Sequence, residues 1–160
     1  MPMDEIMGQV MEESVQREMR KKELKIMDMP ESAKALPAER FNEEKEKAFN
    51  LMKTFYAGLE IEDIVFCRRI GGFGLAGQTR PRPLLVGLVS NLERERILIG
   101  ARRAKNFNLK PSLTKMQMEK MKELYKQRDQ KNGVNPQGPK IWIVAGPPGE
   151  QQLRQVTKRV

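Results

Sequence analysis

Arginine supplies the most suggestive chemistry in this chain. Arg68 and Arg69 close one apolar run, and Arg80 and Arg82 flank the entry to the next. Arg102, Arg103 and Lys105 crowd the end of a helical stretch, with Lys110 just beyond it. A guanidinium's planar fork donates two hydrogen bonds at once to a phosphate, so these types in this density point to phosphate contacts. Few acids lie near them in sequence. Arg94 and Arg96 differ, because they alternate with Glu93 and Glu95 and read as a solvated, self-paired face.

Other chemistries are poorly provided for. The 160 residues contain no histidine, which removes the commonest general base and the commonest zinc ligand together. Glu62 and Asp63 sit beside a strand with no partner base, so no catalytic residue, metal or cofactor is expected and the chain reads as non-enzymatic. Gly72 to Thr79 has Walker-like glycine spacing, but Gln78 stands where the phosphate-reaching lysine belongs and Pro81 and Pro83 forbid the following helix. Ile143 to Gly149 has the strand and turn without Gly-Lys-Ser/Thr. Nucleotide hydrolysis is rejected at both. The single cysteine, Cys67, lies in an apolar run and reads as a small hydrophobe in a reducing compartment.

Lys and Arg total 30 against 21 Asp and Glu, a formal charge of +9 that favours a polyanionic partner. No apolar stretch approaches membrane-spanning length, and the acidic N-terminus is unlike a signal peptide. The expectation is an intracellular protein, cytoplasmic or nuclear, with no membrane partner.

These side chains must be positioned by a mixed set of elements. Residues 4–22 read as a polar helix with a loose apolar stripe, the end of a longer coiled coil. Leu24 to Met29 alternates as a strand closed by Pro30. Ala38 to Ala57 is the clearest helix, with Gly58 as its C-terminal cap. Asp63 to Ile70 and Pro83 to Val89 read as strands joined by a glycine-rich loop. Asn91 is expected to cap a helix over Leu92 to Lys105, with Leu92, Ile97, Leu98 and Ala101 inward and its arginines outward. Phe107 to Lys110 is a fourth strand, reached by a short connection. A further helix runs to about Lys131, and Lys140 to Val144 is an added strand. The expected domains are an N-terminal helix over 1–22, a main domain with its extension over 23–145, and a basic tail over 146–160.

The strand-helix-strand-strand-helix-strand order points to an α+β, RRM-like (ferredoxin-like) antiparallel sheet with two helices on one face. Three segments sharpen this: Lys21 to Ser32, the run Arg80-Pro81-Arg82-Pro83-Leu84-Leu85-Val86, and Leu109 to Thr114. Together they resemble the RRM-like domain of the nucleic-acid-binding, first-open-reading-frame proteins of LINE-type retrotransposons and related elements. The resemblance implies binding of RNA or single-stranded DNA, nucleic-acid chaperone activity in a ribonucleoprotein, and self-association through the N-terminal helix. One departure matters. The base-stacking positions of an ordinary RRM hold Lys25, Pro83 and Leu85 here, so recognition should be electrostatic and tolerant of sequence. Trp142 is the aromatic that could stack instead, although a lone tryptophan is more often core.

Two functions follow. The first is sequence-tolerant binding of single strands, with Arg68, Arg69, Arg80, Arg82, Arg102, Arg103, Lys105 and Lys110 on phosphates. The alternative is an RRM-like protein-interaction module, which an exposed Met27, Leu85 and Val144 would favour.

Overall fold

Met3–Arg20 form helix α1 in the computed structural model, which describes residues 2–72, 80–133 and 138–158. Asp4 and Glu5 sit in its first turn and Arg17 and Arg20 in its last, matching the helix dipole. Arg17 pairs with Glu13 one turn back at 2.7 Å. None of its residues is buried, and Ile6, Val10, Met11, Val15 and Met19 are all exposed.

The remaining elements of the first unit, Met1–Ser112, are strand β1 (Glu23–Ile26), helix α2 (Pro37–Phe55), strands β2 (Ile64–Arg69) and β3 (Leu84–Leu88), helix α3 (Asn91–Arg103) and strand β4 (Leu109–Pro111). The strands make one antiparallel sheet in the order β2-β3-β1-β4. That α+β arrangement is compatible with a ferredoxin-like fold. Alternation sends Leu24 and Ile26 of β1 and Leu84, Val86 and Leu88 of β3 to one face, where Ala48 and Met52 of α2 and Ile97, Leu98 and Ala101 of α3 complete the core. A bulge between Ile64 and Phe66 resets the phase of β2, so Ile64 and Cys67 both join that core.

The helices start and meet for identifiable reasons. Pro37 occupies the first turn of α2, where its missing N–H costs nothing. Ser90, not Asn91, caps α3: its extended backbone frees Oγ to accept from the Glu93 N–H. Nor does Gly58 cap α2, which ends with an extended Tyr56. Gly100 lets α3 approach α2 closely, since a Cβ there would meet the Phe55 carbonyl carbon at 2.9 Å and its oxygen closer still. Ile97, Leu98 and Ala101 of α3 face inward as expected, but the first turn differs. Leu92 is 55% exposed, while Arg94 is buried at 4% and donates to the Arg20 carbonyl.

The second unit, Leu113–Val160, holds helix α4 (Lys115–Asn132) and strands β5 (Lys140–Ala145) and β6 (Gln152–Thr157). Thr114 and Gln117 form a reciprocal capping box at the start of α4. The Asn132 side chain brackets Trp142, donating to its carbonyl and accepting from its N–H, each at 2.8 Å. This corrects two expectations. Residues 146–160 are not a plain tail, because β6 pairs along all of β5; and β5 belongs to this separate two-stranded sheet instead of extending the main one. The two compact units meet after Ser112. Among the described residues no helix is long and apolar enough to cross a membrane.

Candidate functional site

Topology brings most of the selected cations to one end of the main sheet. Cross-strand partners Arg69, Leu84, Ile26 and Leu109 lie in line along that end. Residues 27–30, 70–72, 80–83 and 106–108 therefore leave the sheet together. The last turn of α3 also arrives there, through the Lys105 residue that ends the helix at a positive φ of 57°.

The eight selected residues then divide into two groups. Arg69 is turned inward, with its side chain 5% exposed. Its Nε donates to Glu44 Oε1 at 2.9 Å, and its remaining nitrogens donate to the carbonyls of Met29, Arg82 and Pro30. Arg82 is held similarly, Nε donating to Glu31 Oε1 at 3.0 Å and Nη1 to the Gly71 carbonyl at 3.0 Å. That guanidinium holds the Glu31 carboxyl below the usual carboxylate range. These two arginines tie the segment after β1 to the ends of β2 and β3. They build the site; their donors are spent inside it.

Arg68, Arg80, Arg102, Arg103, Lys105 and Lys110 are all exposed, and none forms an ion pair among the described residues. Arg80 and Lys110 share a cleft of about 610 Å³ at the sheet end with Met27, Asp28, Ile70 and Pro83. Arg68 and Lys110 share a row across the outer face, the face away from the helices: Arg68, Leu85, Lys25 and Lys110 are successive cross-strand partners.

Lys25 was not among the selected cations, and it occupies the middle of that row. Burial pushes its ammonium below the ordinary lysine range, with Arg20 adding to the effect, Glu23 opposing it and Lys110 adding again. Lys25 and Lys110 are directly opposed on paired strands, a placement in which like charges repel. The signal was present in sequence, since Lys25 alternates with the core residues Leu24 and Ile26.

A ring was also missed. Phe66 is half-buried on the outer face, lying over Gly87, where a Cβ would collide with its ring. A glycine inside the otherwise apolar Leu84–Leu88 strand marks such a close approach. In the second unit Trp142 is half-buried, with Lys131 Nζ 4.7 Å from its ring centroid.

The two stretches that imitate phosphate loops fare differently. Residues 73–79 of the first lie outside the described residues. The second is the turn between β5 and β6, which opens a strand and no helix. Arg96 is exposed as expected, whereas Arg94 pairs with its neighbouring glutamate but does so buried. Arg96 donates to the Tyr56 hydroxyl at 2.9 Å.

Charge is unevenly spread. Residues 113–160 hold ten Lys and Arg against four Asp and Glu, leaving twenty against seventeen in the first 112. The cations of the sheet end therefore act as a local concentration within a nearly balanced unit. Comparison with known proteins finds no family model that matches the chain and no curated protein significantly similar to it.

Proposed function

We propose that the first unit is an RRM-like module that binds single-stranded RNA or DNA through its phosphates, without catalysis. One observation carries the reading: Arg68, Arg80 and Lys110, drawn from three different segments, meet at one sheet end and one row, are exposed, and form no ion pair among the described residues. Arg80 and Lys110 contact the strand in the cleft, Lys25 and Arg68 carry it across the outer face, and Arg102, Arg103 and Lys105, exposed at the C-terminal end of α3, offer further positive charge. Contacts to phosphate fix position without reading bases, so binding is largely sequence-tolerant. Phe66 is the ring on this face against which a base can stack.

The resemblance to LINE-type elements extends the proposal to a retroelement ribonucleoprotein and to chaperoning of nucleic acid. The exposed apolar residues of α1 support self-association through that helix. The rival protein-interaction module finds less support. Leu85 is 3% exposed, and Met27 and Val144 are half-buried, so none of the three presents an open apolar surface.

The test is binding to two unrelated single strands by the full chain and by an Arg80→Ala, Lys110→Ala double variant. Equal losses for both strands support the reading. Undiminished binding by the variant contradicts it.

A further inference from the structure

We propose that the cleft at the sheet end takes one guanine base of the bound strand, held by the Asp28 carboxylate. The inference rests on the nucleic-acid reading above and adds a single position of base preference to an otherwise tolerant interface.

Asp28 stands out on two counts. Its φ of 58° lies in the left-handed region, which favours glycine and is tolerated by aspartate and asparagine. An acid in that position keeps a carboxylate at the cleft wall where glycine would fit the backbone with less strain. Asp28 is also exposed, and its side chain makes no hydrogen bond or ion pair among the described residues, although Arg80 and Lys110 line the same cleft. A lone acid there weakens phosphate binding, so it needs a different partner.

The chemistry of the carboxylate selects that partner. It only accepts hydrogen bonds, and its two oxygens match two donors placed side by side. On their Watson–Crick edges, adenine offers one amino group beside an acceptor, cytosine one amino group beside acceptors, and uracil one N–H between two carbonyls. Guanine alone offers adjacent donors, N1–H and the N2 amino group. At about 610 Å³ the cleft falls within the range of nucleotide-sized ligand sites. Met27, Ile70 and Pro83 give an unstacked base apolar surface, while Arg80 and Lys110 meet the flanking phosphates.

The experiment measures fluorescence anisotropy of the full chain with labelled oligouridine carrying one central guanosine, inosine, adenosine or cytidine, at fixed salt. Inosine lacks only the N2 amino group. The guanosine strand is expected to bind at least about fivefold more tightly than the inosine or adenosine strand, the lower end of discrimination by a bidentate contact. Asp28→Gly, which suits the positive φ, should erase that difference and tighten binding to plain oligouridine by removing a negative charge. Asp28→Asn should also lose the guanosine preference. Equal binding of guanosine and inosine strands, or a preference that survives in Asp28→Gly, overturns the inference. Binding of oligouridine without any base preference overturns it alone, whereas failure to bind every strand overturns the nucleic-acid reading as well.

Discussion

Replacing Arg69 with methionine should destabilise the first unit far more than the same change at Arg80. Methionine keeps most of the aliphatic stem and deletes the guanidinium. At position 69 this deprives Glu44, whose side chain is 12% exposed and keeps the Ser32 N–H at 3.2 Å, of its counter-charge, and removes the donors to the Met29, Pro30 and Arg82 carbonyls. Removing one partner of a buried ion pair costs about 3–5 kcal/mol, because the other charge stays buried without compensation. Whole domains are stable by only about 5–15 kcal/mol, so the loss is a large fraction of the total. With a urea slope of about 2 kcal/mol per molar, the unfolding midpoint should fall by roughly 2 M. Arg80 makes no ion pair among the described residues, and Arg80→Met should stay within about 0.5 kcal/mol of the parent. Trp142 belongs to the other unit, so unfolding is best followed by far-ultraviolet circular dichroism with amide exchange on β2 and β3. A loss below about 1 kcal/mol at Arg69, or equal losses at both positions, would refute the division into framework and contact arginines.

Three further outcomes are expected. Because burial lowers the Lys25 pKa on folding, the unfolded chain binds more protons between the folded and ordinary values, and stability rises with pH through that window. Lys25→Met should therefore be more stable than the parent at neutral pH, and urea midpoints should show the gap closing as pH rises through the window. Gly100→Ala should destabilise by about 1–3 kcal/mol, since the Phe55 backbone it strikes cannot turn aside, despite alanine's better helix propensity; a calorimetric gain in Tm would contradict the close approach. Burial pushes the Cys67 thiol up to about 11, so iodoacetamide should alkylate it slowly in the folded chain at neutral pH and faster as pH approaches that value.

Much of the scaffold was legible because it rests on strong periodic signals. Helix α2 and strand β3 carry their core residues at regular spacing, and short connections leave few sheet orders open. Strand β6 was missed because Gln152–Thr157 contains just two apolar residues, Leu153 and Val156, and its strand character depends on pairing with β5. Ile97, Leu98 and Ala101 of α3 face the core as their spacing implies, but Leu92 and Arg94 exchange places, because Arg94 reaches Glu95 and the Arg20 carbonyl from a buried position.

The site shows a sharper limit. Arg69 and Arg82 were chosen because few acids surround them in sequence, yet Glu44 lies 25 residues from Arg69 and Glu31 lies 51 residues from Arg82. Ion pairs of that separation leave no local trace. Local charge density could identify the convergent end of the sheet, but only the folded chain distinguishes an arginine that braces it from one that faces outward. Lys25 was read as the occupant of a stacking position and Phe66 as part of an apolar run, so neither was selected as a contact.

The most direct test of phosphate binding at this surface is the salt dependence of affinity for an unstructured single strand. Each phosphate contact contributes about −0.7 to the slope of log affinity against log salt. Removing Arg80 and Lys110 together should flatten the slope by about 1.4 and weaken binding to unrelated strands by similar factors. An unchanged slope in that double variant, or an affinity indifferent to salt in the parent, would contradict the account.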